Sequence, residues 1–385
     1  MAGFVSQGFG DFSTVFITEE ELIRRYVGSM VWTWGSNGSG QLGDNTIVGK
    51  SSPVQTVQGG TNWKQVACGY SHTAAIKTDG TLWLWGWNSQ GQLGDNTIVD
   101  KYSPVQTIVG GNNWKQLACG GFHSLAIKTD GTLWTWGINN AGHLGDNTIV
   151  GKSSPVQIAG GGTNWKQISC FNYGSAAIKT DGTLWTWGSN GDGTLGDNTI
   201  VAKSSPIQTI QGGTNWKQVA CGFSHMAAIK TDGTLWTWGS NGDGQLGDST
   251  NAAKSSPIQT AAGGTNWKQV ACGTRFTSAI KTDGTLWTWG MNSAGQLGEN
   301  TQFNRYSPAQ TAAGGTNWKQ VACGNGFTSA IKTDGTLWAW GSNGSGQLGD
   351  NTLVGKSSPV QTVQGGTNWK QVACSNHGAA ISFTN

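Results

Sequence analysis

Charge is scarce in this chain of 385 residues: Asp, Glu, Lys and Arg make up 11% of it, and the net charge is +3. The lysines recur evenly, as at Lys64 and Lys77, so no basic footprint points to nucleic acid as a partner. No apolar run approaches the ~18 residues of a spanning helix, so no membrane insertion is expected. The N-terminus lacks the basic start and apolar core of a secretory signal. Folding in a cytoplasm is expected, with a virus particle assembled there as one destination. No Cys-x-x-Cys pair suggests zinc. No segment sustains a 3.6-residue period, which excludes a helical solenoid.

Repetition is what the chain has instead. Leu-Gly-Asp recurs from Leu42 through Leu93 to Leu348, each leucine 51 residues after the last, with Glu299 replacing the aspartate once. A period near 50 marks a propeller or solenoid. Gly (62) and Trp (22) are abundant, and every tryptophan except Trp87 follows the repeat. The seven cysteines, Cys68 to Cys374, keep the same spacing. Equivalent positions in adjacent units lie roughly 10 Å apart, beyond the ~7 Å a disulfide spans between Cα atoms. They read as seven small buried thiols, reduced.

One unit shows the architecture. Residues 52–57 make a short strand opening at Pro53, which suits an edge. Trp63 to Cys68 is a second strand and Thr73 to Lys77 a third, followed by the hairpin signal Asp79-Gly80. Leu82 to Trp85 is the fourth. Four strands in each of seven units predict an all-β, closed seven-bladed propeller over residues 30–385. A β-helix is the rival, but its rungs are shorter. The last unit lacks its Trp-x-Trp-Gly strand, and that strand stands alone at residues 30–35. Pairing residues 30–35 with 379–383 completes the seventh blade and removes two open edges.

Gly-Gln-Leu-Gly (Gly40 to Gly43), Cys68-Gly69-x-x-His72, Asp79-Gly80 and Trp83-x-Trp85-Gly86 together resemble the repeat of the regulator of chromosome condensation family, across all seven units. The resemblance implies a seven-bladed propeller. The family includes guanine-nucleotide exchange factors, β-lactamase inhibitors and repeat proteins of unknown role. In the exchange factor an inserted hairpin enters the GTPase. Here the 51-residue spacing never breaks, so exchange is not expected.

No constellation joins a nucleophile, a base and an orienting group, so no catalytic residue and no cofactor is expected. The family histidine survives at His72, His123, His225 and His377, while the same place holds Gly174, Phe276 and Phe327. A position that accepts His, Gly and Phe is a loop or packing position, and no metal site is expected. His143 is a singleton in the glutamine place.

The units disagree mainly in loops. Candidate binding residues there are Trp87, Tyr102, Phe171, Tyr173, Arg275, Met291, Phe303, Arg305 and Tyr306. Aromatic and arginine side chains are typical of binding hot spots, and a rigid scaffold with variable loops is a common recognition design. Residues 1–29 fall outside the repeat. Thr18 and Glu21 form a capping box for one short helix. Phe4, Phe9, Phe12 and Phe16 make an apolar arm suited to docking on other protein chains of an assembly. The expectation is a non-enzymatic recognition or structural propeller displayed on an assembly, such as a phage decoration, neck or tail-fibre protein. The alternatives are a protein-binding regulator or inhibitor, and a lectin with a glycan on its loops.

Overall fold

In a computed structural model, residues 28–384 are described. Seven four-stranded antiparallel sheets stand around an axis. In the first blade the strands run, from the axis outward, Trp63–Cys68, His72–Lys77, Leu82–Gly86 and Lys101–Gln106. The other blades repeat this order. The capping-box helix and the four arm phenylalanines lie outside the described residues.

Each strand pairing follows from the local sequence. Gly80 takes a φ of 84°, which an L side chain rarely adopts. It lets the Thr78-Asp79-Gly80 turn close between Lys77 and Thr81, whose backbones bond at 3.0 Å. Asp79 holds the turn by accepting from the Thr81 amide and hydroxyl at 2.9 and 2.7 Å. The outer strand expected over residues 52–57 runs from Lys50 to Gln55, because Lys50 pairs with Gly35 across a bulge, as Lys101 does with Gly86.

The core lies between blades. At the first junction Ile76, Leu82 and Leu84 of one blade meet Trp114, Leu117 and Trp136 of the next, with Leu93 between them. These faces are uncovered in an isolated blade, which is why the ring must close. A glutamine joins neighbouring inner strands. Gln65 donates to the Leu117 carbonyl at 3.1 Å and accepts from the Leu117 amide at 3.2 Å. Gln371 and Val66 repeat this across the closing junction, both bonds at 3.1 Å. Inside that last blade, Val31 pairs with Ile381 and Trp32 with Ala380, so the N-terminal strand completes it.

The seven cysteines are free and line the axial channel. Burial pushes the thiols of Cys119, Cys221, Cys323 and Cys374 up to about 12. They are thiols, not thiolates, and are poor nucleophiles.

Candidate functional site on the upper face

Hairpin loops alternate between the two ends of a blade. The loop after the cysteine and the loop after Trp-Gly therefore leave from the same end, here called the upper face. His72 and Gly86, which flank them, are paired neighbours. Most of the variation between units is brought to one side by this parity.

On blades one to four the upper loops build a crescent of rings. Tyr70 stacks on Phe122 with centroids 5.8 Å apart and planes 3° apart. Trp87 meets Phe122 edge-on at 5.4 Å. Tyr173 continues the row, 5.9 Å from Phe122 and 6.3 Å from Phe223. All are half-buried except Tyr173, which is 39% exposed. Offset and edge-to-face pairs of this kind hold each ring in place while leaving one face open.

The remaining blades are polar. Thr274 donates to Asn325 and Asn325 to Asn376, each at 3.0 Å. A cavity of about 610 Å³ opens beside them, lined by Arg275, Met291, Asn325, Ser342 and Gln347 among others. Arg275 lies 3.5 Å from Asp243, which also accepts from Asn304 at 3.0 Å. The face thus has an aromatic half and a polar half with one exposed guanidinium. Among the described residues no group of His, Cys, Asp or Glu is placed to hold a metal ion.

The candidate residues separate into two groups. Trp87 and Tyr173 belong to the crescent, and Arg275 and Met291 to the cavity. Tyr102, Phe303, Arg305 and Tyr306 stand on the outer rim, where Phe303 is 79% exposed. Tyr102 closes over Gly40 and Tyr306 over Gly244 of the preceding blades, where a Cβ would clash at 2.4 and 2.7 Å. Arg305 and Glu299 replace together the repeated pair of Lys50 and Asp44, so Arg305 serves the loop of its own unit. Phe171 ends the inner strand of the third blade. Tyr70, Phe122 and Phe223, which complete the crescent, stand in the loop after the cysteine. Their recurrence beside Tyr173 in successive units was the available signal.

The histidine position is a buried packing site at the head of the second strand. Ser124 donates to the Gln92 carbonyl at 2.9 Å, so the Nε2–H of His72 must donate to Ser124, at 3.1 Å. His377 donates likewise to Thr73, which donates to the Gln41 carbonyl. These rings are neutral: burial pushes His72, His225 and His377 down to about 3. The rings of His72, His225, Phe276 and Phe327 each lie on a glycine: a Cβ on Gly69 would stand 2.1 Å from His72, and one on Gly273 2.1 Å from Phe276. Beside His377 that place holds Ser375. The third blade reverses the pair in sequence, with Phe171 at the glycine place and Gly174 at the ring place. The His143 ring lies 5.8 Å from those of both His123 and Tyr173, and its carbonyl accepts from Ser175 at 3.0 Å.

Comparison with known proteins agrees with this geometry. The RCC1-like domain pattern matches residues 99–385, and the regulator of chromosome condensation (RCC1) repeat matches residues 30–76 and 63–92. The ultraviolet-B receptor UVR8 of Arabidopsis thaliana is 33% identical over 340 residues, covering 86% of this chain and 77% of the receptor. The mitochondrial RCC1 domain-containing protein RUG3 of the same plant is 29% identical, over 74% of this chain and 66% of RUG3. Human WBSCR16 superposes with a TM-score of 0.81 at 22% identity, over 92% of this chain and 99% of its own. Yeast RCC1 bound to Kap60 gives 0.83 at 17%, over 100% and 96%. The chain belongs to the regulator of chromosome condensation (RCC1) repeat family and forms a seven-bladed RCC1-like propeller.

Proposed function

We propose that this propeller is a non-enzymatic, protein-binding regulator that engages its partner through the upper face. The observation that carries the reading is the crescent. The repeat is otherwise nearly uniform, yet its aromatic departures meet on one side of the ring, and Arg275 stands across the same face. Aromatic and arginine anchors around a cleft are the usual composition of a hot spot. Exposed Ile47, Val48, Ile98 and Val99 extend the apolar surface toward the rim, each more than half exposed. One protein of the same fold, yeast RCC1 (Prp20p), is described with several protein partners: Gsp1p, histones and Kap60. This likeness favours the regulator over the virion component, for which it offers no support, and the proposal leaves the virion setting aside.

The test is affinity capture by the full chain, followed by titration of the recovered partner. Phe122→Ala, Trp87→Ala and Arg275→Ala should each leave the melting temperature within a few degrees. At least one should weaken the partner by ~10-fold or more, as hot-spot truncations do. Unchanged affinity in all three variants would remove the upper face from the interaction.

A further inference from the structure

The lysines, even along the chain, are not even in space. Each of the first six blades sets its Lys64 and Lys77 equivalents at the same end, the end opposite the crescent. In the first six blades that makes twelve lysines on the lower face, against the six equivalents of Asp79. The apparent lack of a basic footprint was an effect of reading a ring as a line.

The two faces treat their cations differently. On the upper side the lysines stand in ion pairs, such as Lys50 with Asp44 and Lys101 with Asp95 at 3.3 Å. Among the described residues, none of the twelve lower lysines has an acid within the 4.0 Å of an ion pair. Lys64 and its equivalents are exposed. Lys77 is held between two indoles, its Nζ 4.8 Å from Trp63 and 4.5 Å from Trp83, and five more blades repeat the arrangement. Such a side chain has little rotamer entropy left to lose on meeting an anion. The connections that cross toward this face, from outer strand to next inner strand, carry exposed Val57, Ile108, Ile210 and Val363.

We propose that the lower face docks on an anionic lipid bilayer. The inference is independent of the upper-face reading. Peripheral attachment takes two signals together, a polybasic surface and apolar side chains that reach the acyl boundary. Both are present here. Nucleic acid fits less well. Among the described residues the face has lysine without arginine, so it offers point charges and no planar fork for base edges. Its exposed apolar residues are aliphatic, and stacking of bases needs rings. The Asp79 ring reduces the field without cancelling it, because lysines outnumber these aspartates two to one.

The experiment is co-sedimentation of the full chain with phosphatidylserine-containing vesicles, pure phosphatidylcholine vesicles and, separately, duplex DNA. Binding is expected to the anionic vesicles and not to the neutral ones. The triple variant Lys64→Gln, Lys115→Gln, Lys166→Gln should lose at least ~10-fold. The variant Val57→Ser, Ile108→Ser should lose roughly threefold or more at unchanged charge. All five side chains are solvent-facing, so the melts should not move. No binding to anionic vesicles overturns the proposal, as does equal binding to neutral ones. DNA binding that needs the lysines and ignores Val57 and Ile108, with vesicles unbound, assigns the face to nucleic acid instead.

Discussion

A chain shortened to begin at Ser36 is expected to melt far below one beginning at Gly28, or to aggregate. The lost strand contributes Trp34, fully buried, and Val31, 2% exposed. The Trp34 indole also donates to the Gln347 carbonyl at 2.8 Å, across the junction with the sixth blade. Removing a core tryptophan side chain costs about 3–5 kcal/mol. Deleting the strand further exposes His377–Phe383 as an unpaired edge, an invitation to intermolecular pairing. Differential scanning calorimetry of the two chains provides the check, with Trp34→Ala in the full chain as a milder probe. Equal melting temperatures would mean that the ring does not depend on this closure.

The second large effect is acid lability in a narrow window. In the folded protein His72, His225 and His377 protonate only near 3 and His143 near 4, against an ordinary 6.5, and burial is the cause. His123 is lowered as well, by burial and then by His143 and His72. The folded state therefore excludes protons that the unfolded chain accepts. Stability is complete above about pH 6.5 and falls as pH drops from there toward the folded values. Each histidine contributes up to ~1.4 kcal/mol per pH unit. The lowered carboxyl of Asp79, held down by the Thr81 amide and then its hydroxyl, acts below its ordinary 3.8. The interval from pH 6.5 to 4.5 thus reads the histidines. His72→Phe and His225→Phe should each flatten the slope by about one proton, since Phe276 and Phe327 already occupy the same place in this chain. Thr328, facing Phe276 in that arrangement, still donates to the Gln296 carbonyl at 2.8 Å, so the hydroxyl is not stranded. Urea unfolding measured across the interval decides it: an unchanged slope in both variants would mean that these rings are not the titrating groups.

Most of the fold was legible because a repeat states its own boundaries. The 51-residue spacing, the Asp79-Gly80 turn and the displaced Trp32-Thr33-Trp34-Gly35 strand were sufficient for the blade count, the hairpin and the closure. Strand ends were less visible, since Lys50 and Lys101 enter the outer strand through a bulge that no alternation of residues announces. The site was half legible. Trp87, Tyr173 and Arg275 stood out as departures from the repeat, but departure alone does not say which of them meet. Arg305 illustrates the limit: it departs together with Glu299, and the pair preserves a loop. The glycine–ring exchange at Phe171 and Gly174 was present in the letters, but the close fit of a ring on Gly69 and on Gly273 was not.

The closure strand also fixes how the molecule is held. Thr384 donates its amide to the Gly28 carbonyl at 2.7 Å, and Ser29 pairs with Phe383, so the propeller's first and last described residues meet at one point on the lower side. A dye or bead attached at Thr384 therefore sits on the lower side, at the end of the blades opposite the crescent. On a sensor chip, copies tethered through Thr384 present Trp87 and Phe122 on the side away from the tether.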